Sequence, residues 1–393
     1  MSRKLRVLSL STLYPNDHTP NFGVFVERQM QAVMRRGDVD LTMVNPVGLP
    51  PFPLSLHPRY VALRKVAGQE QRGGVPVLRP RFLLLPGIGG RLNAGAEART
   101  VLPLARRLHA QQPFDLVDAQ FFHPDGAAAV RIGAALGLPV SIKARGADIH
   151  HWGKAPGTRA QVLDAGLKAA GLLAVAGGIA DDMAALGMPR GKITVHRTGL
   201  DRSIFQPHDK AEARARLGLP ADKPLLACVG ALIPRKGQVY AIEAMPLLPE
   251  AELLLAGSGP DEAMLRARAA ELGVSDRVRF LGAVPHGELP WLLSAADVFV
   301  LPTASEGLAN AWVEALACGT PVVTTPIPGA QELLTDPAWG RFAARDRQAI
   351  AIAVTELLAD PPPRAEVLRG AEPFSWEANA AALVEYWRGL VAA

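Results

Sequence analysis

Two glutamates, Glu306 and Glu314, stand eight residues apart in "SEGLANAWVEALACGTPVV" (305–323), between strand-like runs at 298–301 and 321–325. The first falls where a strand should end, the second inside the helix that follows. Gly307, Leu308, Ala309 and Asn310 read as the first turn of that helix. First-turn N–H groups lack intrahelical acceptors and suit a phosphate. Glu314 lies about two turns in, rotated roughly 80° from Glu306 if helical geometry holds throughout. Its sequence neighbours are apolar, and a carboxylate among them is costly without a partner such as a sugar hydroxyl. The plainer alternative makes Glu306 a capping residue and Glu314 a surface residue of an amphipathic helix.

Two other stretches could bind an anion. In "CVGALIPRKGQ" (228–238) a strand ends at Gly230, a short loop carries Arg235 and Lys236, and Gly237 opens a helix. Two cations beside a helix entrance favour an anion, although the glycine spacing is not that of a Walker loop. In "LLLAGSGPDEAML" (253–265) a strand ends in Gly257, Ser258 and Gly259. Glycines there let a ligand approach the backbone, and Ser258 could bond a phosphate or a base. A tight strand-to-helix turn explains the same residues.

The elements that must position these residues alternate between strand and helix. Strands are expected at 5–12, 39–47, 115–120, 139–146, 171–177 and 193–199, with helices at 24–37 and 125–137. The second half continues with strands at 224–232, 251–257, 278–282, 297–303 and 321–325, and helices at 238–248, 261–273 and 375–393. Such alternation implies mostly parallel sheets covered by helices. A polar stretch with Pro207 puts a linker near 200–210. The expected architecture is α/β, two doubly wound Rossmann-like domains facing across a cleft, at 1–203 and 204–375. The terminal helix, 376–393, is expected to cross back to the first domain. Ligands of open α/β sheets bind beyond the carboxyl ends of the strands.

Bulk properties narrow the function classes. Hydrophobic residues make up 49% of 393, enough for large cores. The net charge of +5 hides an asymmetry: residues 1–200 hold 25 Lys and Arg against 13 Asp and Glu, and residues 201–393 hold 17 against 24. A basic half at +12 and an acidic half at −7 suggest different partners for each. Cys228 and Cys318 form no disulfide framework and read as packed thiols in a reducing compartment. No cysteine and histidine spacing suits a metal, and no apolar run reaches the roughly 18 residues of a membrane span. The N-terminal apolar run ends at Tyr14-Pro15 without a small-residue cleavage site and reads as a strand. Basic segments interleaved with stacking aromatics are absent, which argues against nucleic acid.

The order of these motifs resembles glycosyltransferase family 4, a retaining, metal-independent family of GT-B fold. Its paired glutamates followed by "ACGTPVV", its Lys-Gly loop, "GxGP" turn, "FLG" strand and "DVFVLPS"-like strand correspond to Glu306 and Glu314, Lys236-Gly237, "GSGP", "FLG" (280–282) and "DVFVLPT". The likeness runs over about residues 195–340. It implies a nucleoside-diphosphate-sugar donor, UDP- or GDP-linked, as a substrate, and no cofactor. Arg235 and Lys236 would then sit on the diphosphate, and Gly307, Leu308 and Ala309 would offer it N–H groups. Glu306 would bond donor-sugar hydroxyls and Glu314 the ribose. Asn310 completes an "EGxxN" variant of the motif. Many members carry an arginine just after the strand glycine Gly230, where this chain has Ala231.

The first half resembles a branch with "DAHF" then "PDG", and "ARGxDI"; the stretches here are "DAQFFHPDG" (118–126) and "ARGADI" (144–149). Gln120 and Arg145 occupy positions usually held by histidines, Asp148 ends the second motif, and His123 lies three residues beyond Gln120. His123 either takes over the polar catalytic role or packs in its loop. Gly23, in "PNFGVFVERQ" (20–29), would let the backbone approach the diphosphate or acceptor. Two stretches, 50–65 and 78–92, mix arginine with apolar residues and read as loops or short helices. They would meet an anionic membrane surface and help receive a polyprenyl-diphosphate-linked acceptor, or else form an inserted hairpin packed on the first domain. The expected enzyme is cytoplasmic or peripheral on the inner membrane face, building polysaccharide or glycoconjugate on a lipid-linked or saccharide acceptor. The competing readings are a nucleotide-sugar epimerase of GT-B fold and a non-catalytic carbohydrate-binding protein.

Overall fold

A computed structural model describes residues 3–20, 22–85 and 89–393. Asn21 of the 20–29 loop, Pro86, Gly87 and Ile88 of the 78–92 stretch, and the side chain of Arg59 lie outside the described residues. The chain divides into two compact units, residues 1–199 with 376–393, and residues 200–375.

In the first unit the chain lays down β1 (Leu5–Leu10), β2 (Val39–Val44), β3 (Val47–Leu49), β4 (Gln69–Arg72), β5 (Val75–Leu78), β6 (Arg81–Leu83), β7 (Leu116–Ala119), β8 (Val140–Ala144), β9 (Gly171–Ala174) and β10 (Ile193–Val195). Eight of them form one sheet in the order β10-β9-β8-β7-β1-β2-β5-β4. Every pairing in it is parallel except the β4–β5 hairpin. β7 and β8 are buried at every residue, including the polar Asp118, Ser141 and Lys143. The helix Val24–Arg35 buries Val26, Met30 and Val33 at helical spacing against this sheet. The terminal helix Trp376–Ala392 adds Trp376, Ala380, Leu383, Val384 and Trp387 to the same core. Those apolar positions recur every three or four residues, which is why this distant segment docks as a helix on the first unit.

The second unit holds β11 (Leu225–Val229), β12 (Glu252–Ala256), β13 (Val278–Gly282), β14 (Val298–Leu301), β15 (Val322–Thr324) and β16 (Gly340–Phe342) in the order β13-β12-β11-β14-β15-β16, all parallel. This is the doubly wound dinucleotide-fold order, whose direction reverses between β11 and β14. In the first unit the same reversal falls between β1 and β7. Loops leaving the carboxyl ends of these central strands are therefore the ones that meet a ligand.

Several elements differ from the sequence expectation. A helix of 19 residues, Asn93–Gln111, fills a stretch that carried no clear helical signal, because its inner face is built from small residues (Ala94, Ala98, Ala105) and Pro103 interrupts the pattern. The stretches 50–65 and 78–92 supply the helix Pro58–Lys65, two short 3-10 turns and the strand β6, with the β4–β5 hairpin lying between them. β2 stops at Val44 rather than running to 47, and Pro46 separates it from β3.

Candidate functional site

The second unit brings Arg235, Lys236 and Glu306 together. Lys236 closes the 3-10 turn Pro234–Lys236 after β11, and Glu306 lies on the loop after β14. These strands flank the reversal of the sheet. One oxygen of Glu306 accepts from Arg235 Nη1 at 2.5 Å and from Lys236 Nζ at 2.6 Å. Lys236 and Glu306 are largely shielded, at 15% and 14% side-chain exposure, whereas Arg235 is 44% exposed. The shielded pair is the stronger one, since exposed pairs are screened by water. The group carries one net positive charge, which suits a diphosphate without leaving a bare cation cluster.

Backbone contacts lock the two loops to each other. Ala304 N–H donates to Arg235 O at 2.8 Å, and Thr303 Oγ1 donates to the same carbonyl at 3.1 Å. Arg345, which sequence reasoning missed, donates from Nε to Pro302 O at 3.0 Å and from Nη2 to Pro234 O at 2.9 Å. Its guanidinium lies 4.8 Å from the centre of the Tyr240 ring. Nothing in its local sequence signals this, since both acceptors are carbonyls remote in the chain.

The helix entrance differs from the expectation. The helix runs Asn310–Ala317, so Gly307, Leu308 and Ala309 precede it instead of forming its first turn. Ala309 is extended (φ −75°, ψ 119°) and no side chain caps the helix. Leading N–H groups at Asn310 and Ala311 have no intrahelical acceptor, while that of Trp312 bonds Ala309 O at 3.0 Å. The angular relation between Glu306 and Glu314 assumed one continuous helix and does not apply. Glu314 sits at the fifth helical position, half-buried. Gly329 holds the preceding loop in place: a Cβ there would lie 1.6 Å from Gly307 O.

The glycines of "GSGP" are required by the packing of the chain itself. A Cβ on Gly257 would lie 1.9 Å from Gly230 O, and one on Gly259 2.2 Å from Leu232 O. Leu232 N–H donates to Ser258 O at 3.0 Å, and Ser258 itself is exposed. The turn thus stitches the end of β12 to the loop after β11, which fixes Gly230 beside the Lys236 stem.

In the first unit a polar network surrounds Arg145. Its Nη2 donates to Gln29 Oε1 at 3.0 Å and to Gln120 Oε1, and its Nε donates to Gln120 O at 3.2 Å. The guanidinium lies 4.7 Å from the centre of the Phe25 ring, in the first turn of Val24–Arg35. Gln120 Nε2 donates to Asp118 at 2.6 Å, and Asp118 also accepts from Ser9 at 2.9 Å and Trp387 at 3.2 Å. Gln29 Nε2 donates to Asn379 Oδ1 at 2.7 Å. The terminal helix therefore supplies two network members, Asn379 and Trp387, that lie too far along the chain for any local pattern to reveal.

Asp148 spends both oxygens on backbone N–H groups, from Arg145 (2.9 Å), Gly146 (2.8 Å) and Phe122 (3.1 Å), and so shapes the loop that presents Arg145. Burial still pushes its carboxyl up to about 6. His123 is buried against Trp152 at a centroid distance of 5.1 Å, and burial lowers it to about 4. At neutral pH it is an uncharged imidazole inside the loop. Asp125 accepts from Thr12 N–H at 2.9 Å and faces the buried Glu97; burial raises Asp125 to about 7 and Glu97 well above the carboxylate range. Gly23 (φ 77°) caps the helix Val24–Arg35, and a Cβ there would lie 2.4 Å from the Leu13 carbonyl carbon. Its role in the fold is a close crossing of two chain segments.

Comparison with known proteins defines the fold class first. Sucrose-phosphate synthase from Thermosynechococcus elongatus superposes over 99% of this chain and 100% of its own, with TM-score 0.77 and 21% identity. HepE from Anabaena, solved with UDP and glucose, covers 98% of this chain and 100% of its own with TM-score 0.74 and 18% identity. The chain has the GT-B fold of two Rossmann-like domains. Residues 209–372, which lie within the second unit, match the family model "Glycosyl transferases group 1". The putative teichuronic acid biosynthesis glycosyltransferase TuaC from Bacillus subtilis is 28% identical over 361 residues, 89% of this chain and 88% of TuaC. A GDP-mannose-dependent phosphatidylinositol monomannoside mannosyltransferase from Mycolicibacterium smegmatis is 40% identical, over 42% of this chain and 46% of its own length.

Proposed function

We propose that the protein is a retaining, family 4-like glycosyltransferase that moves a sugar from a UDP- or GDP-sugar to a saccharide or polyprenyl-diphosphate-linked acceptor during polysaccharide or glycoconjugate synthesis. The observation that carries this reading is the Arg235–Lys236–Glu306 cluster at the sheet reversal, beside an uncapped helix entrance. Arg235 and Lys236 take the diphosphate, with N–H groups from Gly307 to Asn310 completing its cradle. Glu306 holds donor-sugar hydroxyls and keeps the two cations in register. Glu314 takes the ribose, and Gly230, Gly257 and Ser258 form the wall beside it. In the first unit Gln120, Arg145 and Asp148 serve the acceptor side. Gly23 and His123 act there as shape-setting residues.

The chemistry asks little covalent help from the protein. The bond from the anomeric carbon to the diphosphate oxygen breaks, the acceptor oxygen bonds the same face, and its proton passes to the leaving phosphate. The protein's task is to fix the partners and stabilise the departing charge. The reading gives no metal a role.

Exposed Phe52 (78%), Leu54 (53%), Leu56 (58%), Leu83 (54%) and Leu92 (55%), close in sequence to Arg64, Lys65, Arg81 and Arg91, support peripheral attachment to an anionic membrane face. No helix among the described residues is long and apolar enough to cross a membrane. Incubation with a panel of UDP-, GDP- and ADP-sugars, reading released nucleotide with and without a lipid-linked acceptor, tests the function. Acceptor-dependent release is expected; binding without release across the panel would leave only a binding module.

A further inference from the structure

Among the described residues, Arg145 is a fixed cation that forms no ion pair. Its Nη2 and Nε are held by Gln29 and Gln120, both amides and both buried. Its Nη1 makes no protein hydrogen bond among the described residues, and Arg145 as a whole is only partly buried. The nearby carboxyl of Asp148 is spent on backbone N–H groups, and that of Asp118 on Gln120, Ser9 and Trp387. The guanidinium also lies over Phe25, in the first turn of a helix of 12 residues that no side chain caps. That end of a helix carries partial positive charge; the acidic residue of its first turn, Glu27, is paired with Arg72 at 2.5 Å rather than with Arg145. Holding this cation without an ion pair costs desolvation that an anionic ligand would offset.

We propose that Arg145 is the specificity-determining residue of the acceptor side and reads a phosphate or carboxylate carried by the acceptor. The proposal rests on the glycosyl-transfer reading above and adds the acceptor's charge to it. The amides pin one edge of the fork, which leaves Nη1 to meet an anion with little loss of side-chain freedom. Gln29 and Gln120 are positioning residues, since a histidine at position 120 would offer no amide oxygen to hold the guanidinium. The terminal helix takes part through Asn379, which fixes Gln29.

The test uses the full chain and four probes: a sugar 1-phosphate, a glucuronide, a neutral methyl glycoside, and UDP or GDP alone. Calorimetric affinities are measured for wild type, Arg145→Gln and Arg145→Lys. Wild type should bind the phosphate or the carboxylate probe at least about tenfold more tightly than the neutral one, as a hydrogen bond to a charged group allows. Whichever charged probe binds identifies the anion. Arg145→Gln should abolish that preference, and Arg145→Lys should retain part of it, with nucleoside-diphosphate affinity and thermal midpoint unchanged in both. Equal affinity for charged and neutral probes in wild type would overturn the proposal, as would loss of nucleoside-diphosphate affinity in Arg145→Gln. Failure of wild type to bind any nucleoside diphosphate would instead strike the glycosyl-transfer reading and leave the anion result readable.

Discussion

Replacing Lys236 by Ala removes one of the two cations on Glu306 and leaves the other. In the free protein Arg235 stays 2.5 Å from the same Glu306 oxygen, so the carboxylate is not stranded. The fold should therefore lose about 1 kcal/mol, the upper end for exposed pairs, since this pair is largely shielded. Turnover is a different matter. A unit charge held about 4 Å from a developing anion is worth ~4 kcal/mol at an effective dielectric near 20. Loss of one preorganised donor to such charge costs about 10²–10³-fold in kcat. The expected variant melts within a few degrees of wild type and releases nucleotide at least about 100-fold more slowly at saturating donor. Steady-state nucleotide release with both substrates varied separates kcat from KM. A variant with near-normal kcat would refute the assignment of Lys236 to the leaving diphosphate. A variant that loses only donor affinity would move Lys236 from stabilising the departing charge to uniform binding.

Gly329→Ala should displace the loop before Asn310, because its Cβ would meet Gly307 O at 1.6 Å; calorimetry with UDP or GDP should show at least about tenfold weaker binding, or about 1.4 kcal/mol. Asp125 and Asp148 are raised to about 7 and about 6. Folding therefore holds their protons where the unfolded chain releases them, and their contribution to stability falls as pH rises from about 4 to about 7. Buried His123 and His196, held below the usual imidazole range, act in the opposite direction, so the comparison is between variants. Across that window the denaturant midpoint should fall less, or rise more, in Glu97→Gln than in wild type, because the variant lacks a buried carboxyl whose own raised pKa adds to the decline. If the reading without metal is right, EDTA at millimolar concentration leaves turnover unchanged. Flotation with anionic vesicles should exceed flotation with neutral ones, and equal recovery would count against membrane attachment.

Much of the architecture was legible because parallel strands buried on both faces leave apolar runs, as in β11, β14 and Leu253–Ala256 of β12. The helix Asn93–Gln111 was not, because an alanine-lined inner face carries little hydrophobic contrast. In the second unit the cations and Glu306 stood out, since short motifs at strand ends concentrate charge and glycine. What spacing could not supply was the start of the helix at Asn310, which depends on Gly329 closing against Gly307. Nor could it show that Gly257 and Gly259 accommodate backbone oxygens of the neighbouring loop. The network around Arg145 was least legible. Gln29, Gln120, Arg145 and Asn379 lie on four separated segments and meet only through sheet order and the docking of the terminal helix.

The central claim is sugar transfer with retention from a donor gripped by Arg235, Lys236 and Glu306. Proton NMR of the glycoside made from the active nucleotide sugar tests it most directly, through the anomeric coupling constant. The account predicts the same anomeric configuration in product and donor, with no product from Lys236→Ala on the wild-type time scale. An inverted anomeric centre, or equal product from the variant, would contradict it.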